Sequence, residues 1–571
     1  MTAEAPPQAK PLQSSYDVIV LGSGCGALSA AVTAATLGLS VLVLERASLL
    51  GGTSAISGGA LWIPGSRQSV VAGFADSSDG VRTYIRALAG ERYNAEMVDA
   101  FLEHGPKALA FMEEHTALRY TPRALSPDYH NELPGSTDAG RVLEVNPFDG
   151  RRLGPWFALL RPPPPGMMLF GGLMLNRESI GHFLTLTKSL ESFVYCSGQL
   201  LRFAWDRLRY PRGTRLVIGN AMMAALIAAA LERGVHFEVN AKTGSFIQND
   251  HGRVVGVNVC IGEGREQSIE ARRGVVLGTG GMSRHPQAQA DRPGTVPGHL
   301  SMAAPHADGA AILLAQNLGA KVGGALAGNF YWAPLSKVRH DDGRLEIFPH
   351  IITDRAKPGI IAVTDRGRRF TNEADSYHRF VLGMIEAHRG GASRFYLLAD
   401  SRAVHAYGLG LARPHPGNKR ALIRKGYLIE APGVALLAER LGIDASALEA
   451  TITEYNANCT RGQDPHFHKG ESSYNRAQGD VRAPNPCLAP LERPPFYAVR
   501  IHTGDMGTAK GLATDTKARV VREDGSLIRG LFAVGNDMTS VMSGTYPGPG
   551  ITLGPALTFG YVAGRTLAEQ A

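Results

Sequence analysis

Two glycines and an alanine near the N-terminus have the spacing of a phosphate-binding turn. Gly22, Gly24 and Ala27 follow an apolar run at 18–21 in GxGxxG/A spacing, and Glu45 ends the next apolar run. The first glycine allows a tight turn, the second lets the backbone approach a pyrophosphate, and the alanine lets helix and strand pack closely. Amides at the helix N-terminus stabilise phosphate charge, and the acid can bind ribose hydroxyls. The pattern predicts a dinucleotide site, with an accidental glycine-rich turn as the alternative.

Three further glycine-rich segments favour FAD over a nicotinamide dinucleotide. "LLGGTSAISGGALWIPG" (49–65) supplies the second loop that an extended flavin needs, and "RRGVVLGTGG" (272–281) and "IRGLFAVGND" (528–537) are short apolar strands that end in glycines. Such strand ends return the chain to one binding crevice. We expect a non-covalent FAD, contacted by Gly22, Gly24, Gly26, Ala27, Glu45, Arg46, Gly52, Thr53, Ser54, Ser57, Gly58, Gly59, Gly280, Gly281, Gly535, Asn536 and Gly554.

The elements that must position these residues read as alternating strands and helices. Strands at 18–21 and 41–44 flank a helix at 27–37, a helix feeds a strand within 213–240, and 254–259 with 268–271 form a hairpin or small meander. We predict an α/β fold with a Rossmann-like FAD-binding domain, discontinuous at 1–303 and 495–571, and an inserted α+β capping domain at 304–494. A helical excursion at about 150–215 carries one or two amphipathic helices, which either pack normally or form a lid or membrane-facing patch.

Composition narrows the class of protein. The chain has 571 residues, 19% of them charged, a formal net charge of +8 and no dense Lys/Arg run, so we expect no nucleic-acid partner. The five cysteines are scattered without a CxxC pair, which predicts no metal site and fits a reducing cytoplasm. The polar N-terminus does not read as a signal peptide, and the most lipophilic stretch, 166–175, is too short to span a bilayer. We predict a cytoplasmic protein, with peripheral contact at the inner face of the membrane left open.

Five segments together resemble one known family. "DVIVLGSGCGALSAA", "GGTSAISGGALWIPG", "RGRRFTNEADSY", "GDMGTAKGLATD" and "GLFAVGND…GTYPGPGITLGPALTFGY" are similar to the FAD-dependent 3-ketosteroid Δ1-dehydrogenases, relatives of fumarate reductase and succinate dehydrogenase flavoproteins. The flavin motifs are shared across that superfamily, whereas TYPGPG is the more specific part. The resemblance implies desaturation of a small lipophilic cyclic ketone, at the 1,2-positions of a 3-ketosteroid, with electrons passed on to a further acceptor.

The resemblance also implies roles for particular residues. Tyr377 in "NEADSY" is the implied base, the Tyr546 hydroxyl and Gly550 amide of the YPGPG stretch are the implied carbonyl-binding pair, and Tyr129 in "SPDYH" is the implied support of the base. Such a reaction makes physical sense: donors must stabilise charge on the ketone oxygen before a base removes the neighbouring proton, and the hydride goes to flavin N5. His378 is the rival base, because imidazole titrates in the right range.

Two other functions stay open at this point. A fumarate-type reductase acting on an unsaturated carboxylate needs cationic groups that clamp carboxylates, for which Arg355, Arg366, Arg368 and Arg369 are candidates. A flavin-binding redox sensor or electron-transfer protein without its own substrate is the second alternative. The large middle unit argues against the latter, because a pure binder needs no cap over the flavin.

Overall fold

The computed structural model describes residues 11–570, except 263, 287, 289–295, 352 and 416. The α-helices are α1 (Cys25–Thr36), α2 (Gly52–Ala55), α3 (Arg67–Val71), α4 (Ser78–Ala89), α5 (Ala95–His115), α6 (Arg177–Leu184), α7 (Leu190–Asp206), α8 (Ile218–Glu232), α9 (Ala310–Gln316), α10 (Tyr377–Arg389), α11 (Ser401–Tyr407), α12 (Lys419–Arg424), α13 (Val434–Leu441), α14 (Ala445–Thr460), α15 (Ser473–Gln478) and α16 (Leu553–Glu569). Short 3-10 helices cover Gly90–Arg92, Gly150–Leu159, Pro165–Met167 and Gly535–Asp537.

The strands are short for the most part. They are β1 (Ser15–Leu21), β2 (Val41–Leu44), β3 (Leu61–Trp62), β4 (Tyr120–Pro122), β5 (Val142–Val145), β6 (Phe148–Asp149), β7 (Met168–Leu169), β8 (Leu173–Met174), β9 (Arg215–Leu216), β10 (His236–Glu238), β11 (Ala241–Gln248), β12 (Val254–Ile261), β13 (Arg265–Leu277), β14 (Leu300–Ser301), β15 (Phe330–Trp332), β16 (Leu335–Arg339), β17 (Leu345–Pro349), β18 (Ile360–Thr364), β19 (Phe395–Asp400), β20 (Leu428–Ala431), β21 (Phe496–Ile501), β22 (Gly504–Thr508), β23 (Arg519–Val521) and β24 (Leu527–Ala533).

The largest sheet confirms the predicted α/β fold. Its order is β10-β2-β1-β13-β12-β11, with β24 and β23 continuing from β13. β10, β2, β1, β13 and β24 run parallel, whereas β12 and the first half of β13 pair antiparallel where the sequence predicts a hairpin or small meander, and β11 adds a further antiparallel strand that was not predicted. Strands covered on both faces are apolar nearly throughout, as β2 with its four buried residues shows.

The carboxyl ends of β1, β13 and β24 meet at one edge of this sheet. The N–H of Gly278 donates to the Leu21 carbonyl at 2.9 Å, and the N–H of Val534 donates to the Leu277 carbonyl at 2.8 Å. The C-terminal helix α16 lies along α1, where an added Cβ on Gly560 would come within 2.3 Å of the Gly26 carbonyl oxygen. The first and last segments of the chain therefore build one crevice, as the sequence predicts.

A second sheet has the order β18-β19-β21-β20 and is antiparallel throughout. Alternate residues of β18 enter different cores: Ile360 and Ala362 on one face, Ile361 and Val363 on the other. β21 begins at residue 496, directly after the predicted boundary near 495, and pairs with strands from before that boundary. The domain limits themselves stay a prediction.

The predicted amphipathic segment contains the helices α6 and α7. Large apolar side chains on both helices are exposed, among them Leu190 at 80% and Trp205 at 70%. Across residues 11–570, with the gaps given above, no helix is long and apolar enough to cross a membrane.

Candidate active site

The turn from β1 into α1 has the predicted tight geometry. Gly22 has φ of 95°, and an added Cβ would lie 2.4 Å from the Gly278 carbonyl oxygen, so glycine is required twice over. Ala27 faces Gly278 at similarly close range, since a Cβ on Gly278 would lie 2.8 Å from that of Ala27. Gly24 is the N-cap of α1 and has no side chain to cap it, and the first turn holds no acid. The positive end of the helix therefore fits an anionic pyrophosphate.

The second glycine-rich loop follows directly in space. The Ser54 hydroxyl accepts from the Cys25 N–H at 3.1 Å, which ties this loop to the first turn of α1. Ser57 donates to the Ser54 carbonyl at 2.7 Å, and the Thr53 hydroxyl accepts from the Ala304 N–H at 2.8 Å. An added Cβ on Gly52 or Gly58 would meet nothing within 4 Å, whereas one on Gly59 would lie 2.5 Å from Ile218. The predicted residues thus come together, and several of them hold the loop itself.

The predicted ribose-binding acid ends β2 as expected, but its carboxylate already has protein partners. The Glu45 carboxylate accepts from the Ser23 hydroxyl at 2.5 Å and from the Ala47 N–H at 2.8 Å. Two carboxylate oxygens offer about four acceptor positions, so ribose hydroxyls can still donate to them. The neighbouring Arg46 forms an ion pair with Asp308 at 2.5 Å.

One buried carboxylate organises the glycines that follow β13. Asp537 accepts from the Thr279 N–H at 2.5 Å and from the Gly281 N–H at 2.8 Å. Gly280 and Gly281 both have positive φ, of 100° and 82°. Asp537 follows the predicted contacts Gly535 and Asn536, and the prediction omitted it.

A cavity opens where α16 begins. Gly535, Asn536, Thr552 and Pro555 line it. Thr552 is the N-cap of α16 without a side-chain cap bond, and the first turn has no acidic residue. An added Cβ on Gly554 would lie 2.4 Å from the Trp62 carbonyl oxygen. Two uncapped helix N-termini and a glycine-lined crevice between them fit FAD.

The YPGPG stretch is clamped from two sides. The Pro547 carbonyl accepts from the Tyr129 N–H at 2.8 Å and from the Tyr84 hydroxyl at 2.7 Å. Gly550 has φ of 94°, and its carbonyl accepts from the Trp62 N–H at 3.2 Å. An added Cβ on Gly550 would lie 2.7 Å from backbone atoms of residues 60–62. The loop geometry alone therefore requires glycine at 550.

Three of the four predicted catalytic residues form one buried tyrosine cluster. The hydroxyls of Tyr377 and Tyr546 are hydrogen-bonded at 2.7 Å. Tyr129 packs edge to face on Tyr377 with ring centroids 5.5 Å apart and stacks on Tyr546 at 5.4 Å. Tyr377 is the first residue of α10, and Tyr546 lies in the clamped loop, so segments 169 residues apart supply the two hydroxyls.

Two aromatic residues that the sequence did not single out complete this arrangement. Tyr474 packs against Tyr129 with centroids 5.0 Å apart, and Tyr331 packs against Tyr546 at 5.4 Å while donating its hydroxyl to Ser540 at 2.7 Å. Burial raises the pKa of Tyr377 well above its usual value, and the neighbouring Tyr129 raises it further, whereas the Tyr546 hydrogen bond opposes this shift. Burial also raises the pKa of Tyr546 well above its usual value, so both sites favour the protonated hydroxyl.

The rival base, His378, is buried, and one of its ring nitrogens already accepts a hydrogen bond. His378 is 6% exposed, and its Nδ1 accepts from the Trp332 N–H at 3.3 Å. Burial lowers the His378 pKa to about 3, with the nearby His130 adding to the shift. Its neutral ring packs on Tyr546 with centroids 5.4 Å apart, which supports the tyrosine's position.

The arginines proposed for a carboxylate clamp are engaged elsewhere or exposed. Arg355 is buried and donates to the backbone carbonyls of residues 350, 351, 373 and 375. Arg369 forms buried ion pairs with Glu373 at 2.7 Å and Asp464 at 2.8 Å. Arg366 and Arg368 are exposed. This disfavours the fumarate-type alternative.

The crevice, its uncapped helices and the tyrosine cluster agree with what the chain is similar to. Residues 17–553 match the FAD binding domain family. The chain belongs to this family. It is an FAD-dependent oxidoreductase acting on CH–CH groups.

Individual relatives cover nearly the whole chain. The 4-oxocyclohex-2-ene-1-carboxylate 5-dehydrogenase of Sinomonas cyclohexanicum is 39% identical over 97% of this chain and 94% of its own length. The 3-oxosteroid 1-dehydrogenase of Mycolicibacterium smegmatis is 33% identical over 97% and 98%. The crystal structure of 3-ketosteroid Δ1-dehydrogenase from Sterolibacterium denitrificans, in complex with 1,4-androstadiene-3,17-dione, has a TM-score of 0.90 and 36% identity and covers 98% of this chain and 100% of its own. The predicted resemblance is confirmed.

Proposed function

We propose that the protein desaturates the C–C bond beside the ketone of a lipophilic cyclic substrate, at the 1,2-positions of a 3-ketosteroid or the matching positions of a smaller cyclohexanone. The hydrogen bond of 2.7 Å between the Tyr377 and Tyr546 hydroxyls carries this proposal. A ketone oxygen and the hydrogen on its α-carbon lie only a few bonds apart, so the groups that act on them must be close neighbours.

In this proposal, the carbonyl oxygen takes two donors. The Tyr546 hydroxyl turns from Tyr377 to the ketone, and the Gly550 amide supplies the second hydrogen bond. Within the described part of the chain, the Gly550 N–H donates to no protein acceptor, which leaves it available. Donors held in place before the reaction stabilise developing negative charge at no reorganisation cost.

Tyr377 then removes the α-proton, and Tyr129 holds it in position. When bound, FAD supplies the acceptor for the hydride that leaves the neighbouring carbon. The surrounding aromatic rings exclude water, which strengthens the hydrogen bonds to the carbonyl oxygen. Because burial raises the pKa of Tyr377, its hydroxyl must lose a proton before it can act as the base. Burial raises the pKa of Tyr129 as well, so that phenol cannot take the proton, which leaves to solvent before the ketone binds.

Tyr377→Phe and Tyr546→Phe test the proposal directly. Each variant should keep its flavin absorbance and lose turnover of cyclic ketones with an artificial electron acceptor by about 10²-fold or more. Tyr455→Phe is the matched control, because Tyr455 is also a buried tyrosine but lies in the separate core between α14 and the second sheet. Near-normal turnover in both cluster variants would refute the assignment.

A substrate screen would show whether the enzyme prefers a steroid or a smaller ring ketone. Relatives at 39% and 33% identity are named for a small ring carboxylate and for a steroid, so both classes are candidates. We would compare kcat/KM for 3-ketosteroids with different side chains against 4-oxocyclohexanecarboxylate and unsubstituted cyclohexanone. Activity on fumarate with a reduced dye, without activity on any ketone, would favour the fumarate-type function.

We also propose that α6 and α7 contact an anionic membrane surface on the cytoplasmic side. Residues 177–215 contain seven Arg or Lys against three Asp or Glu, beside the exposed apolar side chains of Leu190, Phe193, Val194, Leu201 and Trp205. Apolar side chains flanked by cations are typical of helices that lie in a lipid interface. The free cysteines fit a reducing compartment.

Vesicle sedimentation tests this contact. The protein should bind vesicles rich in phosphatidylglycerol and not those of phosphatidylcholine, and Leu201→Ser with Trp205→Ser should abolish binding. Val71→Ser is the control, because Val71 is also 80% exposed but lies outside the segment. Unchanged binding by the double variant would place the contact elsewhere.

A further inference from the structure

β21 changes its neighbour along its length. It pairs with β20 over residues 496–499, and beyond that Leu335 of β16 and His502 exchange backbone hydrogen bonds of 2.9 and 2.7 Å. Lys337 and Arg500 each lie two residues from this isolated bridge, on the same faces of their segments as Leu335 and His502. A cavity of about 320 Å³ lies in the gap where β20 has ended, and Lys337, Arg500 and His502 line it. We call it the basic cavity.

Within the part of the chain that the structure describes, the basic cavity gathers positive charge without a protein counter-charge. Lys337 and Arg500 line the same cavity, and two like charges this close repel each other. Within residues 11–570, apart from the gaps given above, neither Lys337 nor Arg500 has a carboxylate within 4 Å. The adjacent Lys425 pairs with Asp341 at 3.5 Å. Among the described residues, the charged side chains that line the cavity are therefore all basic.

The base of the cavity is a buried histidine. His502 is 6% exposed, and burial, followed by the charges of Lys337 and Arg500, lowers its pKa to about 4. Gly298 has φ of 84°, and an added Cβ would lie 3.1 Å from His502 Nδ1, so the backbone packs closely on the ring. The cavity thus has a buried histidine at its base and two exposed cations at its rim.

We propose that the basic cavity binds an oxyanion of the phosphate class, either inorganic phosphate or a small phosphate monoester. Arginine offers a planar fork for two phosphate oxygens, lysine adds a point charge, and a bound dianion removes the repulsion between them. The cavity volume lies at the lower end of the range for small-molecule sites, about 300–1,000 Å³, so an organic group fits beside the phosphate. No tyrosine of the cluster lines this cavity, so the inference goes beyond the proposed desaturation.

Calorimetric titration of the FAD-loaded enzyme tests the site. We would titrate inorganic phosphate and, separately, glycerol 3-phosphate, both at ionic strength matched with chloride. Saturable binding should weaken about tenfold or more in Lys337→Gln and in Arg500→Gln, because each loses a charged hydrogen bond. The ligand that binds more tightly identifies the source of the phosphate group. Arg339→Gln is the control, since it removes an equal charge two residues along β16.

Two results would overturn the proposal. One is the absence of saturable binding of both ligands at millimolar concentration. The other is an equal weakening in Arg339→Gln, which would indicate only a diffuse positive field.

Thermal unfolding supplies an independent check. In chloride, Lys337→Gln should unfold no lower than the wild type, because the substitution removes repulsion, and the rise in midpoint that phosphate gives the wild type should disappear. A lower midpoint in chloride would show that Lys337 makes a stabilising contact and would contradict the argument. Ketone turnover should be unchanged in this variant, so the result stands apart from the desaturation test.

Discussion

The two hydroxyls at the centre of the tyrosine cluster should be strongly non-additive. Removing a donor to a developing oxyanion costs about 10²–10³ in kcat, and removing a general base costs about 10²–10⁴. If Tyr546 and Tyr377 acted independently, the double Phe variant would lose the product of these factors, about 10⁴–10⁷.

The structure predicts a much smaller loss. The hydroxyls are 2.7 Å apart, and in the proposed reaction each acts on a neighbouring atom of one ketone. The α-proton is acidic only while the carbonyl oxygen is stabilised, so a base without that donor has little left to accelerate. We expect the kcat of the double variant to lie within about tenfold of the kcat of the slower single variant. Each factor of ten by which the observed loss is smaller than the product of the two single losses corresponds to a coupling energy of roughly 1.4 kcal/mol.

Initial rates with an artificial acceptor, under saturating ketone, give the four values of the cycle. Flavin absorbance per protein must be equal in all four proteins, which excludes loss of cofactor as the cause. Single-turnover bleaching of the flavin separates the chemical step from product release. Rate losses that multiply within a factor of three would refute a shared site of action for the two hydroxyls.

Three further outcomes follow from the structure. Because burial raises the pKa of Tyr377, kcat/KM should keep rising from neutral to alkaline pH, and a plateau already reached at pH 7 would contradict a tyrosine base. Burial raises the pKa of Glu373, but the Arg369 guanidinium outweighs it and holds the pKa at about 2. Wild-type stability should therefore fall as the pH drops below the ordinary glutamate value of about 4.3 towards 2, whereas Glu373→Gln should have a lower unfolding midpoint at pH 7 and a shallower acid fall. Gly26→Ala should lower FAD content, because its Cβ would lie 3.1 Å from atoms of α16 and of residue 535, whereas Gly198→Ala, with open space around its Cβ, should not.

The parts of the fold that could be predicted are those with local signals. The β1–α1–β2 unit follows from an apolar run, a glycine spacing and a small-residue helix, all within thirty residues of sequence. The boundary near 495 rested on a proline-rich linker signal. The strand that follows this boundary, β21, pairs with β19 of the middle unit. A linker signal could not predict this, because strand pairing depends on residues far apart in the sequence, whereas turn residues report only on the local chain.

The site shows the same division. Tyr129, Tyr377 and Tyr546 were found because motifs resemble those of a family, whereas Tyr474 is a single aromatic residue in a polar segment and has no local signal. It joins the cluster only because α15 packs beside Tyr129. Asp537 was omitted for a related reason: its role arises from the approach of two distant loops, and "GND" alone favours a turn.

Gly550 illustrates why residue identity alone does not establish a catalytic role. Its positive φ and its contact with the backbone of residues 60–62 each demand glycine, so the motif would be the same if the amide bound nothing. A Gly550→Ala variant would fail for either reason. The observation that favours the proposed carbonyl binding is instead that, within the described residues, the Gly550 N–H has no protein acceptor, whereas the Pro547 and Gly550 carbonyls of the same loop accept hydrogen bonds. Only replacement of that amide by an ester, which removes the N–H and leaves the Cα hydrogens in place, separates the turn from the chemistry.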